Sequence, residues 1–249
     1  MSSTRQRGFS LIELAVVLVV IGLLVGGGLA ALSASSEQAR RTQQKEQFET
    51  IRAALHGFVM DKGRLPCADI DYPDGSEGHG EENYDPLDSD TRGGCEEDAD
   101  RGALPWVTLG VGRYDAWGNV LYYSVDEDFA AEADDPDDPN DPERSAFTLE
   151  ADGNRDITDA SDGDAIATSV PAVIVSFGPQ GDQFWGTGFS CNSASGFSED
   201  ERENCDNDQN FVDAGYRPAE SPDGRFDDML MWVSRYVLKA RMVEAGKLP

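Results

Sequence analysis

Apolar residues run almost unbroken from Leu11 to Leu32, with Glu13 the one charge in the run. As a helix rising about 1.5 Å per residue, this stretch is roughly 33 Å long, enough to cross a hydrocarbon layer. The pattern then thins to a stripe. Phe48, Ile51, Leu55 and Phe58 recur at steps of 3, 4 and 3, which predicts a continuing helix with its apolar side against a globular head. Arg40, Arg41, Lys45, Glu46, Glu49 and Arg52 fall mostly off that stripe, and His56 lies on the polar, solvated side. Gly63 and Pro66 are stop signals. One helix from Phe9 to about Lys62 is therefore expected.

Beyond Leu65 the chain reads as short strands between loops rich in Gly, Pro and Asp. Candidate strands are Trp106–Leu109, Val120–Val125, Phe147–Leu149 and Ala172–Phe177. The unbroken apolar run of the last predicts a central, buried strand. Asp115–Asn119 reads as a turn. Met229, Val233, Tyr236, Val237 and Ala240 repeat at helical spacing, predicting a helix from Asp227 to about Ala245 capped by Asp227 or Asp228. The expected class is α+β: a long N-terminal helix packed on an antiparallel β-sheet head, with large acidic loops and a C-terminal helix.

Charge changes this picture. The 249 residues carry 20 Lys+Arg against 48 Asp+Glu, a net charge of −28. Phosphate backbones would be repelled, so no nucleic-acid partner is expected, nor a basic patch for an anionic membrane surface. The acid is concentrated: residues 66–165 hold 30 acids and 5 bases, whereas residues 37–65 carry six bases and four acids. The N-terminal arm is thus chemically distinct from the head.

Glu13 is costly at the edge of an apolar span and calls for a partner or a role. The basic residues Arg5 and Arg7 precede the span, which places the N-terminus in the cytoplasm and the rest outside. On hydropathy alone, Ala30, Ala31, Ser33 and Ala34 offer a signal-peptide cleavage site. The string Gly8-Phe9-Ser10-Leu11-Ile12-Glu13, however, resembles the type IV prepilin motif. That resemblance implies cleavage after Gly8 by a prepilin peptidase, N-methylation of Phe9, and a filament-core role for Glu13 in neutralising a neighbouring subunit's amino terminus. It implies a type IV pilin-like fold with a leader at 1–8, a transmembrane and filament-core helix at 9–32, its amphipathic half at 33–64, and an exported head at 65–249. Leu65-Pro66-Cys67, Leu104-Pro105-Trp106 with Leu109-Gly110, and Asp115-Ala116-Trp117-Gly118-Asn119 also resemble the heads of large pilin-like proteins of Gram-negative bacteria.

Cys67, Cys95, Cys191 and Cys205 all follow the apolar span, an even count suited to disulfides in an exported head. Of three connectivities, local pairing of Cys67 with Cys95 and Cys191 with Cys205 is expected, each closing an acidic loop. Three stretches set oxygen ligands at near-alternate positions: Asp69, Asp71 and Asp74; Asp152, Asn154, Asp156 and Asp159; and Asp206, Asp208, Asn210 and Asp213. They are candidate Ca²⁺ loops, the third foremost, although none completes an EF-hand pattern. Ala133–Glu143 reads instead as a solvated, proline-stiffened insert. No nucleophile–base constellation is present in the sequence, His79 lies in a Gly/Glu loop, and Trp106, Trp117, Trp185 and Trp232 are read as core rather than a sugar platform. No enzyme is expected.

The resemblance implies a minor pilin or pseudopilin that primes, caps or modifies a type IV pilus or type II secretion pseudopilus. Its partners would be other subunits, the peptidase and an inner-membrane assembly platform, with the head periplasmic before assembly and in the filament afterwards. The alternative is a pilus-borne adhesin acting through the acidic head. A repeating major subunit is disfavoured by the size and self-repulsion of that head.

Overall fold

The computed structural model describes residues 10–72, 79–86, 93–131, 147–186, 191 and 196–248, the side chains of 23–34 excepted. Gly8, Phe9, Asp74 and the insert at Ala133–Glu143 lie outside the described residues. The chain divides into two compact units, Met1–Gln43 and Gln44–Pro249. Helix α1 is continuous from Leu11 to Lys62.

The head then runs β1 (Tyr84–Asp85), β2 (Gly94–Cys95), β3 (Arg101–Ala103), α2 (Trp106–Leu109), β4 (Tyr122–Val125) and α3 (Glu127–Ala130). It continues through β5 (Arg155–Thr158), β6 (Ala165–Val170), β7 (Ala172–Ser176), α4 (Gly181–Gly186), α5 (Glu199–Glu203), β8 (Asn210–Val212), β9 (Met229–Val233) and α6 (Arg235–Glu244).

Four strands form the main sheet in the order β3-β4-β7-β9, every pair antiparallel. Strand β7 is central and wholly buried, as its apolar run predicts. Alternation along the strands sends side chains into two cores. One face carries Tyr123, Val125, Ile174, Met229, Met231 and Val233, packed against Phe48, Ile51, Leu55 and Val59 of α1 and Leu238 and Met242 of α6. The other carries Tyr122, Val173 and Val175, packed with Phe177, Phe184 and Trp185 and with Ile157, Val170 and Phe211 of a second sheet. That sheet has the order β6-β5-β8, and β8 pairs parallel to β5. The head is therefore mainly, not purely, antiparallel.

Helix α1 stops where Gly63 adopts φ +78° and donates its N–H to Val59 O at 2.8 Å, an αL termination that glycine permits without steric cost. The buried stripe steps from Leu55 to Val59, leaving Phe58 half-exposed beneath the Arg64 guanidinium. Arg64 is itself fixed by two bonds to Glu82, at 2.7 and 2.9 Å, and Glu82 also accepts from Cys67 N. Cys67–Cys95 and Cys191–Cys205 are the disulfides, the expected local pairs. Gly102 is required by close approach: a Cβ there would lie 2.5 Å from Asp69 O across a strand-like bridge.

Three expected elements differ. Trp106–Leu109 is a single helical turn, because Pro105 precedes it and Gly110, at φ 65°, closes it. Phe147–Leu149 is not a strand; Phe147 plugs the α1 side of the core and stacks on Phe129 at 4.5 Å. The expected helix from Asp227 is divided: Met229–Val233 is an edge strand, and helix begins at Arg235. Both faces of β9 meet apolar layers, so its side chains satisfy a strand as well as a helix, and the open edge of β7 selects the strand.

Leu55 is fully buried, whereas Phe58 is not. Leu55→Ala is expected to cost about 2–5 kcal/mol, lowering the thermal midpoint of the full chain in detergent by roughly 5–15 °C. Phe58→Ala should move it by less than half as much, as read by differential scanning calorimetry.

Candidate functional site

The N-terminal unit exposes a long apolar surface. Large apolar side chains from Leu11 to Ile21 are exposed, Leu11 by 89% and Ile12 by 73%. Such a row cannot be left in water at this length and marks a surface for lipid or partner helices. Glu13 lies in the first turn, where the orphan N–H groups and the helix dipole favour a carboxylate. Among the described residues no helix is long and apolar enough to cross a membrane. Of the expected span at 9–32, Phe9 and the side chains of 23–32 are outside the description.

Among the described residues the three predicted calcium stretches are placed differently. Asp69 is buried and accepts backbone N–H bonds from Asp71 at 2.9 Å and Gly80 at 2.8 Å, so it closes its own loop. Asp71 accepts from Asn83. In the second stretch each group serves a different neighbour. Asp152 pairs with Arg235 at 3.0 Å, Asp156 accepts from Ser169 N at 2.8 Å, and Asn154 turns to Arg155. Only Asp156 lies in β5, where residues two apart share a face but stand about 7 Å apart, so the strand closes no loop around an ion.

The third stretch is split. Asp206 and Asp208 gather with Glu203, their oxygens within 4.8 Å of one another. Asn210 enters β8 and bonds to Asp208. Asp213 is carried away to a half-buried position beyond β8. Burial raises the Glu203 and Asp206 carboxyls above the usual range, with repulsion from Asp208 adding to both.

A second carboxylate cluster was not legible in the sequence. Glu201, Asp227 and Asp228 bring oxygens within 4.8 Å of one another, and all three are buried. They come from α5 and from the segment entering β9. Glu201 also completes a capping box with Ser198 and accepts from Asp227 N. Arg225 faces the cluster, 3.9 Å from Glu201 and paired with Asp227. Asp228 accepts from Asn204 Nδ2 at 2.8 Å through Oδ2, while its Oδ1 is buried without a hydrogen-bond partner. Burial first, then the Glu201 and Asp227 charges, holds the Asp228 carboxyl well above the usual range. Three carboxylates face one guanidinium, so the cluster needs either a proton or a further cation.

Two clefts lie at opposite edges of the main sheet. At the β9 edge, a cleft of about 460 Å³ is lined by Arg52, His56, Asp213, Trp232 and Val237. His56 is thus half-buried rather than solvated, and burial with Arg241 and Arg52 nearby pushes its pKa down. At the β3 edge, a polar cleft of about 330 Å³ is lined by Asp98, Asp100, Arg101, Asp126, Glu127 and Asp128. Buried Arg155 at its floor pairs with Asp100 at 3.1 Å and bonds to Ser124 at 3.0 Å. Trp106 and Trp185 are core, and Tyr72 and His79 pack on Trp106.

Comparison with known proteins agrees with the N-terminal reading. The family model described as the prokaryotic N-terminal methylation motif matches residues 3–29. The Type II secretion system core protein G of Pectobacterium carotovorum subsp. carotovorum is 32% identical over 68 residues, 27% of this chain and 44% of that protein. The protein of the same description from Klebsiella pneumoniae is 32% identical over 65 residues, 26% of this chain and 46% of that protein. The chain spans less than half the length of these curated relatives. No solved structure matches. The chain carries the prepilin-type methylation motif and, over about a quarter of its length, is similar to type II secretion core protein G.

Proposed function

We propose that this chain is a pilin-type subunit, cleaved after Gly8 and methylated on Phe9 by a prepilin peptidase. It enters a type II secretion pseudopilus or a type IV pilus as a minor subunit that primes, caps or modifies the filament. The observation that carries this reading is the methylation motif at residues 3–29, running into an exposed apolar helix with Glu13 in its first turn. Before assembly the apolar arm anchors the chain in the inner membrane through residues 9–32, with the head outside. Extraction into a filament exchanges lipid for the arms of other subunits, and Glu13 then needs a cation to offset its desolvation. The methylated amino terminus of a neighbouring subunit supplies one.

Intact mass and N-terminal peptide mapping of the protein from its own cells test processing. The expected product starts at N-methylated Phe9; a start near Ser33–Ser36 would replace this reading with an ordinary signal peptide. Glu13→Val is expected to leave processing intact and to lower the amount recovered in sheared filaments by more than about tenfold, because the neighbouring amine loses its buried counter-charge.

The cation expectation moves to a different place in the head. The donor set of Glu201, Asp227 and Asp228 fits Ca²⁺: hard oxygens, spacing compatible with Ca–O distances of about 2.3–2.6 Å, and a buried carboxylate oxygen lacking any other partner. A bound cation would neutralise the cluster and tie α5 to the entry of β9. Without it, the raised Asp228 carboxyl contributes its stability at low pH and loses it as pH rises through the folded value, because the unfolded carboxyl ionises first. At pH 7, chelator at fixed ionic strength is expected to lower the thermal midpoint of the wild type and to leave Asp228→Asn unmoved. A midpoint indifferent to chelator, combined with a higher midpoint for Asp228→Asn, would assign the cluster to a proton instead.

A further inference from the structure

The two edges of the main sheet are finished differently. At the β3 edge, Ala103 N donates to Asp69 O at 2.8 Å and Asp69 N to Ala103 O at 2.9 Å, so the outward main-chain groups of Ala103 are satisfied. That strand is three residues long and carries Arg101. The β9 edge has no such cover among the described residues. Its five residues, Met229–Val233, are all apolar, and their register with β7 is unbroken. Charge, proline and bulges are the devices that ordinarily keep a further strand off an open edge, and β9 has none of them.

The ladder identifies the open groups. Asp126 N donates to Pro171 O at 2.8 Å, continuing the β4–β7 register. Val173 and Val175 therefore bond towards β4, and Ala172, Ile174 and Ser176 towards β9. The last three take up the main-chain groups of Val233, Met231 and Met229. Leu230 and Trp232, lying between, direct N–H and C=O away from the sheet. Among the described residues nothing bonds to these four groups.

The cleft of about 460 Å³ lies along this edge. Arg52, His56 and Val237 line it from the helices over one face of the sheet, and Asp213 lines it from beyond β8 on the other. β9 is thus the floor of a slot. Two recessed edges of this kind do not reach one another, which disfavours β9 of a second copy. The volume suits a ligand or a short peptide, not a folded protein that buries about 800 Å² on each side. What fits is one extended strand, with its backbone on Leu230 and Trp232 and its alternate side chains against the two walls. Charge narrows the occupant. Arg52 and Arg241 are already paired with Glu49 and Glu244, while residues 66–234 hold 42 acids and 8 bases, so an acidic segment would be repelled.

We propose that the β9 slot binds an extended, uncharged or basic segment of another protein, apolar at alternate positions, as a fifth strand of the main sheet. The site is separate from the filament reading and holds whether or not the chain is processed at Phe9.

The test uses the full-length chain in neutral detergent and a heptapeptide of alternating valine and threonine with a lysine at each end. A form N-methylated on every second amide keeps one bonding edge, and a form methylated on every amide keeps none. Residue-resolved hydrogen exchange reads the site. The Leu230 and Trp232 amides are expected to exchange rapidly in the chain alone and to be protected by the plain and half-methylated peptides. The fully methylated peptide should bind at least about tenfold more weakly, having lost its backbone bonds. Leu230→Pro removes an outward N–H at an edge position that tolerates proline, and His56→Trp fills the slot from α1. Each should weaken binding by a similar factor, with thermal midpoints establishing that both are folded; if the proline variant is not, His56→Trp decides. Equal binding of the fully methylated peptide, protection mapped elsewhere, or no binding of the half-methylated peptide at about 1 mM would each overturn the proposal. So would Leu230 and Trp232 amides protected without peptide: protection that rises with protein concentration assigns the edge to a second copy, and protection independent of it assigns the edge to the chain itself.

Discussion

The fold depends on one apolar stripe. Phe48, Ile51, Leu55 and Val59 are all but excluded from solvent, and the face they cover belongs to the strands that end the chain as well as to those in its middle. A helix of this length presents a stripe only where it has something to cover. The upper half of α1 covers the sheet; the lower half, from Leu11 to Ile21, stays exposed along its described length. The same element thus provides a core in one unit and an exposed apolar surface in the other.

A chain with 48 acids must keep most of them hydrated or give them partners. The buried ones are handled individually. Asp100 has Arg155 and Arg101, Glu82 has Arg64, and Asp200 has Arg217. Asp115 accepts from the N–H groups of Trp117 and Asn119 and from Ser176 Oγ, closing the turn that precedes Val120. Each of these is a structural joint more than a store of energy, since desolvation offsets much of the attraction. Glu201, Asp227 and Asp228 differ because their charges outnumber the guanidinium beside them. That imbalance, rather than the abundance of acid, separates a candidate cation site from a solvated loop.

Sequence legibility followed the range over which each signal acts. Helix α1 and strand β7 were readable because their patterns are local and long: a stripe at helical period and an unbroken apolar run. Both disulfides were readable because each closes a nearby loop. The processing motif was readable from six consecutive residues. Strand β9 was not, since Met229–Val233 alternates between two apolar layers and so shows no polar face to set its period. Trp106–Leu109 was misread because one turn is too short to display a period, and Pro105 and Gly110 are the real signals. The carboxylate cluster joins Glu201 to residues 26 and 27 positions later, a meeting made by tertiary packing alone. The second predicted stretch is spread because it runs into β5, where extended backbone holds residues two apart at about 7 Å instead of curling them around one centre.

The place of β9 in the chain has a consequence for the order of events. β7 pairs on one side with β4 and on the other with β9, and β9 comes after the other described strands in chain order. A chain emerging from its N-terminus therefore holds β7 with one flank bare until Val233 is free. During that interval the exposed flank is a template for any stray strand, and the stripe on α1 has only part of its cover. Completion of the main sheet thus waits on the emergence of β9. A truncation that removes the last twenty residues would forfeit the sheet edge, and with it the packing of the helix at the opposite end of the sequence.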